Sequence, residues 1–113
     1  MDMQCKTGDD GITTFILTGQ LNATTALAAE ATLASTIDAG ALHLVLNLAG
    51  LDYISSAGLR VLLATFKKLS RQNGKLVLCE LQPGVREILE ISGLLTVFVV
   101  AATEAEARSL ATR

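Results

Sequence analysis

Leu51-Asp52-Tyr53-Ile54-Ser55-Ser56-Ala57-Gly58-Leu59 separates two stretches of different periodicity. Before it, Ala41-Leu42-His43-Leu44-Val45-Leu46-Asn47-Leu48 is apolar at nearly every position and is bounded by Gly40 and Gly50. A run this short and without alternation suits a strand buried on both faces better than a helix. After it, Leu59, Leu62, Leu63, Phe66 and Leu69 recur at helical spacing, with Lys67, Lys68 and Arg71 among and beyond them. That pattern predicts an amphipathic helix ending near Asn73-Gly74. The serine pair therefore lies where a buried strand hands over to a helix, with Asp52 and Tyr53 expected in the connecting loop.

The position has chemical consequences. A helix opens with unpaired backbone N–H groups and a partial positive charge, so it favours a hydroxyl cap or an anion. Ser55 and Ser56 are the right residue type to cap the helix, and equally to carry a phosphate that the helix end would tolerate.

The rest of the chain alternates strands and helices around this point. Residues 2–7 predict an edge strand, Gly8-Asp9-Asp10-Gly11 a turn, and residues 12–18 a second strand, together a hairpin. A long helix is expected from Leu21-Asn22-Ala23-Thr24-Thr25-Ala26 to about Ala39, capped by Asn22 or Thr24 and ended by Gly40. Its large apolar residues are Leu27, Leu33 and Ile37, so packing mainly through alanines is expected. Residues 75–80 predict a strand and Gln82-Pro83-Gly84 the entry to a helix, with Pro83 in its first turn. Val85, Ile88, Leu89 and Ile91 would form that helix's apolar face, and Ser92-Gly93 its end. Residues 97–100 predict a short strand, and Thr103-Glu104-Ala105-Glu106 matches a capping box that opens a last helix to about Ala111. The order β-β-α-β-α-β-α-β-α implies an α/β fold: a mixed sheet, parallel from its third strand onward, with four helices packed on it.

With 113 residues, half of them hydrophobic, 18% charged and a net charge of −2, the chain reads as one globular domain, 1–113. The acidic balance gives no electrostatic reason to expect nucleic acid. No stretch has the roughly 18 to 20 apolar residues of a membrane span, and no secretory signal is visible, so a cytoplasmic protein is expected. Cys5 and Cys79 are too few for a disulfide framework or metal cluster and are read as small apolar fillers in strands. His43, the one histidine, has no Ser or Cys partner nearby in sequence and is read as a packed or surface residue. Asp9-Asp10 offers too few oxygens for a metal. There is neither a phosphate-binding Walker loop nor a dinucleotide glycine fingerprint, so no cofactor and no catalytic residue is expected.

The dozen residues from Asp52 to Leu63 resemble the signature of STAS domains, and among these the bacterial anti-sigma factor antagonists. Members carry an aspartate or serine, a phosphorylatable serine, a small residue, then Gly-Leu at the start of the second helix. On that pattern Ser56 falls on the phosphoacceptor, with Ser55 as the alternative, and Ser55 replaces the frequent aspartate. Gly19-Gln20-Leu21-Asn22 likewise resembles the family's Gly-x-Leu-Asp before the first helix, with Asn22 in place of aspartate. The resemblance implies a partner-switching cycle. The unmodified chain binds an anti-sigma factor, itself a serine kinase of the histidine-kinase-like ATPase fold, and so frees a sigma factor. Phosphorylation releases the chain, and a PP2C-type phosphatase restores it. In this scheme Asn22, Asp52, Tyr53, Ser55, Ser56, Ala57, Gly58 and Arg60 face the partner, Tyr53 as a ring anchor and Arg60 toward an acidic group. The competing expectations are a STAS accessory subunit of a transporter or lipid-trafficking ATPase, without phosphorylation, and a small enzyme.

Overall fold

The computed structural model describes residues 1–112. Nine elements follow the expected order: β1 (Asp2–Thr7), β2 (Thr13–Leu21), α1 (Ala26–Asp38), β3 (His43–Ile54), α2 (Ser56–Arg71), β4 (Lys75–Cys79), α3 (Pro83–Ile91), β5 (Val99–Ala101) and α4 (Glu104–Ala111). They form one five-stranded sheet in the order β1-β2-β3-β4-β5. The β1–β2 hairpin is antiparallel and every other pairing is parallel, so the mixed α/β sheet read from the sequence is the observed one.

The apolar run behaves as its lack of alternation demands. Leu44, Leu46 and Leu48 join a cluster with Ala29, Leu33 and Ile37 of α1, Val61, Leu62 and Leu69 of α2, and Val85 and Leu89 of α3. Val45 points the other way and packs with Val77, Cys79, Ala107 and Ala111 under α4. Three helices thus cover one face and a single short helix the other. Burying a side chain the size of Leu or Val contributes about 1.5–3 kcal/mol, so β3, filled on both faces, is the main apolar contributor among the strands. Burial pushes the Cys79 thiol up to about 12, which leaves it an inert filler. Cys5 departs from expectation: it sits on the edge strand, exposed.

Several boundaries also differ. β2 and β3 run on past the apolar core and pair with each other beyond the end of β4, through Thr18↔Gly50, Gly19↔Leu51, Gln20↔Tyr53 and Leu21↔Ile54. Gly50 therefore lies inside a strand, and Asp52 and Tyr53 belong to β3 rather than to a loop. Register shifts between Ile16 and Thr18 and between Gly19 and Gln20 break the alternation that would have revealed this extension. At α1, Leu27 is 81% exposed and the buried stripe is Ala29, Leu33, Ile37, a strict four-residue repeat. Ile91, at the end of α3, is 79% exposed because that helix buries only Val85 and Leu89. β5 begins two residues later than expected, after the buried Phe98, whose ring packs edge-on to Phe66 at 5.7 Å.

Candidate functional site

The connection from β3 to α2 is a single residue, Ser55, and it is fixed by hydrogen bonds at its N–H, its hydroxyl and its carbonyl, the last accepting from the Leu59 N–H at 2.9 Å. Its N–H donates to the Leu21 carbonyl at the end of β2 at 2.9 Å, which ties the start of α2 to the neighbouring strand. Its backbone is extended (φ −96°, ψ 177°), and its Oγ accepts from the Gly58 N–H at 3.3 Å, as an N-cap serine does. Gly58 is buried directly under the strand ends. A Cβ there would lie 2.6 Å from the Leu21 carbonyl oxygen and 2.7 Å from Ile54 Cγ1, so only glycine lets the helix approach this closely.

The two serines therefore differ. Ser55 is half-buried with its hydroxyl engaged in the cap, while Ser56, the first residue of α2, is exposed. Ala57 is half-buried and Arg60 is exposed one turn further on. No acidic residue occupies the first turn, and the basic residues of the last turn, Lys68 and Arg71, lie at the far end. The partial positive charge at the helix start is thus not offset within its own first turn.

Around Ser56 the fold assembles most of the residues the sequence singled out. Tyr53 is 45% exposed at the end of β3, and Asp52 beside it is exposed. Asn22 sits across from them because Leu21 pairs with Ile54. Neither Asn22 nor Thr24 is the N-cap of α1; that residue is Thr25, whose side chain makes no cap bond. Asn22 Oδ1 instead accepts from the N–H groups of Thr24 and Thr25 at 2.9 and 3.2 Å, folding the turn that leads into the helix. An amide does this without charge, and neither α1 nor α2 has an acidic residue in its first turn.

A second polar cluster lies on the α4 face, and the sequence reading passed over it. The Asn47 amide donates to Glu104 Oε1 at 3.0 Å and Glu80 Oε2 at 3.3 Å, and its carbonyl oxygen accepts from the Ala49 N–H at 2.9 Å. Glu80, in a left-handed backbone conformation (φ 56°), also accepts from the Glu104 N–H at 3.1 Å. The Asn47 bond, followed by Lys6 at 3.3 Å, holds the Glu104 carboxyl below its ordinary value against the opposing effect of burial. The one available signal was Asn47 itself, a side-chain amide inside an otherwise apolar run.

The other candidates resolve as structural. His43 Nδ1 bonds the Ala111 carbonyl at 2.6 Å, at the end of α4. Asp10 accepts from the Ile12 N–H and pairs with Arg108 at 2.7 Å, and both interactions lower its pKa, the first more. Among the described residues no group of three or more His, Cys, Asp or Glu could hold a metal ion, and no helix is long and apolar enough to cross a membrane.

The sequence profile of the STAS domain family matches residues 5–107, and the chain belongs to that family. It is 52% identical over 92 residues to a Bordetella bronchiseptica protein named as an anti-sigma factor antagonist, BtrV, covering 81% of this chain and 79% of the relative. Among solved structures, a Thermotoga maritima protein described as an anti-sigma factor antagonist superposes with a TM-score of 0.92 at 21% identity, over 98% of this chain and 95% of that one. The anti-sigma factor antagonist SpoIIAA matches in its unphosphorylated form with a TM-score of 0.74 at 21% identity, over 96% of each chain. Its phosphorylated form gives the same TM-score at 24% identity, over 96% of this chain and 98% of that one.

Proposed function

We propose that this chain is an anti-sigma factor antagonist that works as a phosphorylation-controlled binding partner and catalyses nothing itself. In its unmodified state the surface around Ser56, built from the start of α2, the end of β3 and the turn at Asn22, docks on an anti-sigma factor in the cytoplasm and releases a sigma factor. The anti-sigma factor is also the kinase. The Ser56 Oγ attacks the γ-phosphorus of ATP, an Oγ–P bond forms, the bond to the β-phosphate oxygen breaks, ADP leaves, and the hydroxyl proton passes to a base on the kinase. A PP2C-type phosphatase hydrolyses the ester and resets the cycle.

The observation that carries this reading is the division of labour between the serines: Ser55 already caps α2, which leaves the exposed Ser56 hydroxyl free for an enzyme to reach. The identity to BtrV supports the antagonist role, and SpoIIAA has been solved in unphosphorylated and phosphorylated forms on this fold.

The magnitudes favour interface exclusion over refolding. A phosphate adds about −1.5 to −2 charges near neutral pH. The helix start offsets about 0.3–1 kcal/mol of that at an exposed site, whereas drying an unpaired anion against a partner costs several kcal/mol. At about 1.4 kcal/mol per decade of affinity, the second effect wins. Ser56→Asp is expected to weaken anti-sigma binding at least about a hundredfold on that scale. Ser56→Ala should bind as the unmodified chain does and take no label from the kinase. A Ser56→Ala protein still labelled, at Ser55, would overturn the assignment. Co-purification with a membrane ATPase and an unmodified Ser56 would favour the accessory-subunit role instead.

A further inference from the structure

We propose that Arg60 is the second half of the switch: once Ser56 carries a phosphate, the Arg60 guanidinium turns back along α2 and pairs with it. The inference rests on Ser56 being the phosphoacceptor and goes beyond it to how the modified state is held.

Arg60 is four residues after Ser56 on the same helix, and both are exposed. Residues at that spacing are neighbours on one helix face, and the anion-then-cation order is the more favourable one. A guanidinium also matches a phosphate's oxygens with two parallel N–H bonds, which an ammonium cannot do. Nothing competes for it: among the described residues Arg60 makes no ion pair, whereas Arg86 is held by Glu90 and Arg108 by Asp10. It is also the only lysine or arginine between Lys6 and Lys67, a span that includes β2, α1, β3 and the first half of α2. On β2, α1, β3 and the first half of α2, Arg60 is therefore the one side-chain cation that could meet a phosphate on Ser56, and the N-terminal ammonium of Met1 stands beside Gly19 of β2. The carboxylates of those elements are Glu30 and Asp38 on α1, the latter paired with Lys68, and Asp52 on β3. Asp52 opposes the phosphate, and Arg60 is the group that offsets it.

Modification thus makes two changes at one surface. It adds an anion where the partner must dry the interface, and it withdraws the cation that in the unmodified chain is free to meet an acidic group of that partner. The pairing follows from the helix repeat, so the scaffold does not move.

The test is a phosphorus NMR titration of the full chain carrying phosphoserine installed at position 56 during translation. The second phosphate pKa, ordinarily about 6, should rise by about 0.2–0.4 unit when Arg60→Ala removes the pair. Arg60→Lys should fall between the two, Lys67→Ala should match the unsubstituted protein, and the difference should shrink in about 1 M salt. Superimposable titrations for the unsubstituted and Arg60→Ala proteins, with Ser56 labelled by the kinase, would overturn this proposal alone. A kinase that never labels Ser56 overturns the reading beneath it.

Discussion

Helices α2 and α4 begin in the same local way. Each starts on a hydroxyl residue in an extended conformation whose side chain accepts from the amide three positions on: Ser55 from Gly58 at 3.3 Å, Thr103 from Glu106 at 3.2 Å. The surroundings then diverge. The α4 start carries Glu104 and Glu106 in its first turn and receives the Glu80 carboxylate on the Glu104 N–H, with Asn47 and Lys6 completing the cluster. The α2 start has no acidic residue in its first turn and presents an exposed serine instead. One helix end has its charge supplied by the chain itself; the other is left able to accept charge later. Lack of acid alone does not mark the proposed switch, since α1 and α3 lack it too. What sets α2 apart is the combination of a spare hydroxyl, a cap provided by its neighbour, and a free arginine one turn on.

The most disruptive way to break the contrast is at the glycine that seats α2. Gly58→Ala places a methyl 2.6 Å from a backbone carbonyl that is itself bonded to the Ser55 N–H. A loss of about 1–3 kcal/mol or more in unfolding free energy is expected from urea titration. Gly84→Ala, in α3 with nothing within 4 Å of the added carbon, should instead be neutral or gain up to about 1 kcal/mol. Equal effects at the two sites would mean that close approach is not why Gly58 is there.

At the α4 start the chain's own charges should show in the pH dependence of stability. Glu104 titrates below the ordinary carboxylate range, first because it accepts the Asn47 amide and then through Lys6. A carboxyl depressed in the folded state contributes stability that is complete above its unfolded pKa and is lost as pH falls through its folded pKa. Glu104→Gln should therefore lower stability at neutral pH and flatten the acid limb of a plot of urea midpoint against pH. Unchanged acid sensitivity would show that the cluster carries no linkage. The same sign holds for Asp10, bonded by the Ile12 N–H and Arg108, so part of the acid limb should survive in the Glu104 variant.

How much of this contrast could be read in advance depended on sequence distance. The buried half of β3, the amphipathic α2 and the Thr103 cap of α4 are local patterns, and each was legible in consecutive residues. So was the serine pair, because strand-to-helix handover is a change of period within a few positions. The far half of β3 was not: bulges between β2 and β3 shift the register, and Asp52 and Tyr53 read as loop residues when they are paired strand residues. Leu27 and Ile91 show the limit of helical spacing, which names the apolar residues but not which of them meets the core. The Asn47–Glu80–Glu104 cluster joins residues 33 and 57 positions apart. The parallel register of Asn47 with Cys79 brings them together, and no local pattern encodes it.

The smallest effects separate the two serines. Ser55→Ala removes the cap of α2 and should cost about 1 kcal/mol, close to what Thr103→Ala costs at α4. Ser55→Asp keeps an acceptor at the same place and adds the charge that α4 already has. It should stabilise by about 0.3–1 kcal/mol at low ionic strength and by less in salt. The same carboxylate would stand next to the Ser56 hydroxyl, so a phosphate installed there should titrate higher than in the unsubstituted chain. A Ser55→Ala protein as stable as its parent would mean that the Ser55 hydroxyl does not hold the helix. Both serines would then be free for the proposed kinase, and the choice between them would rest on exposure alone.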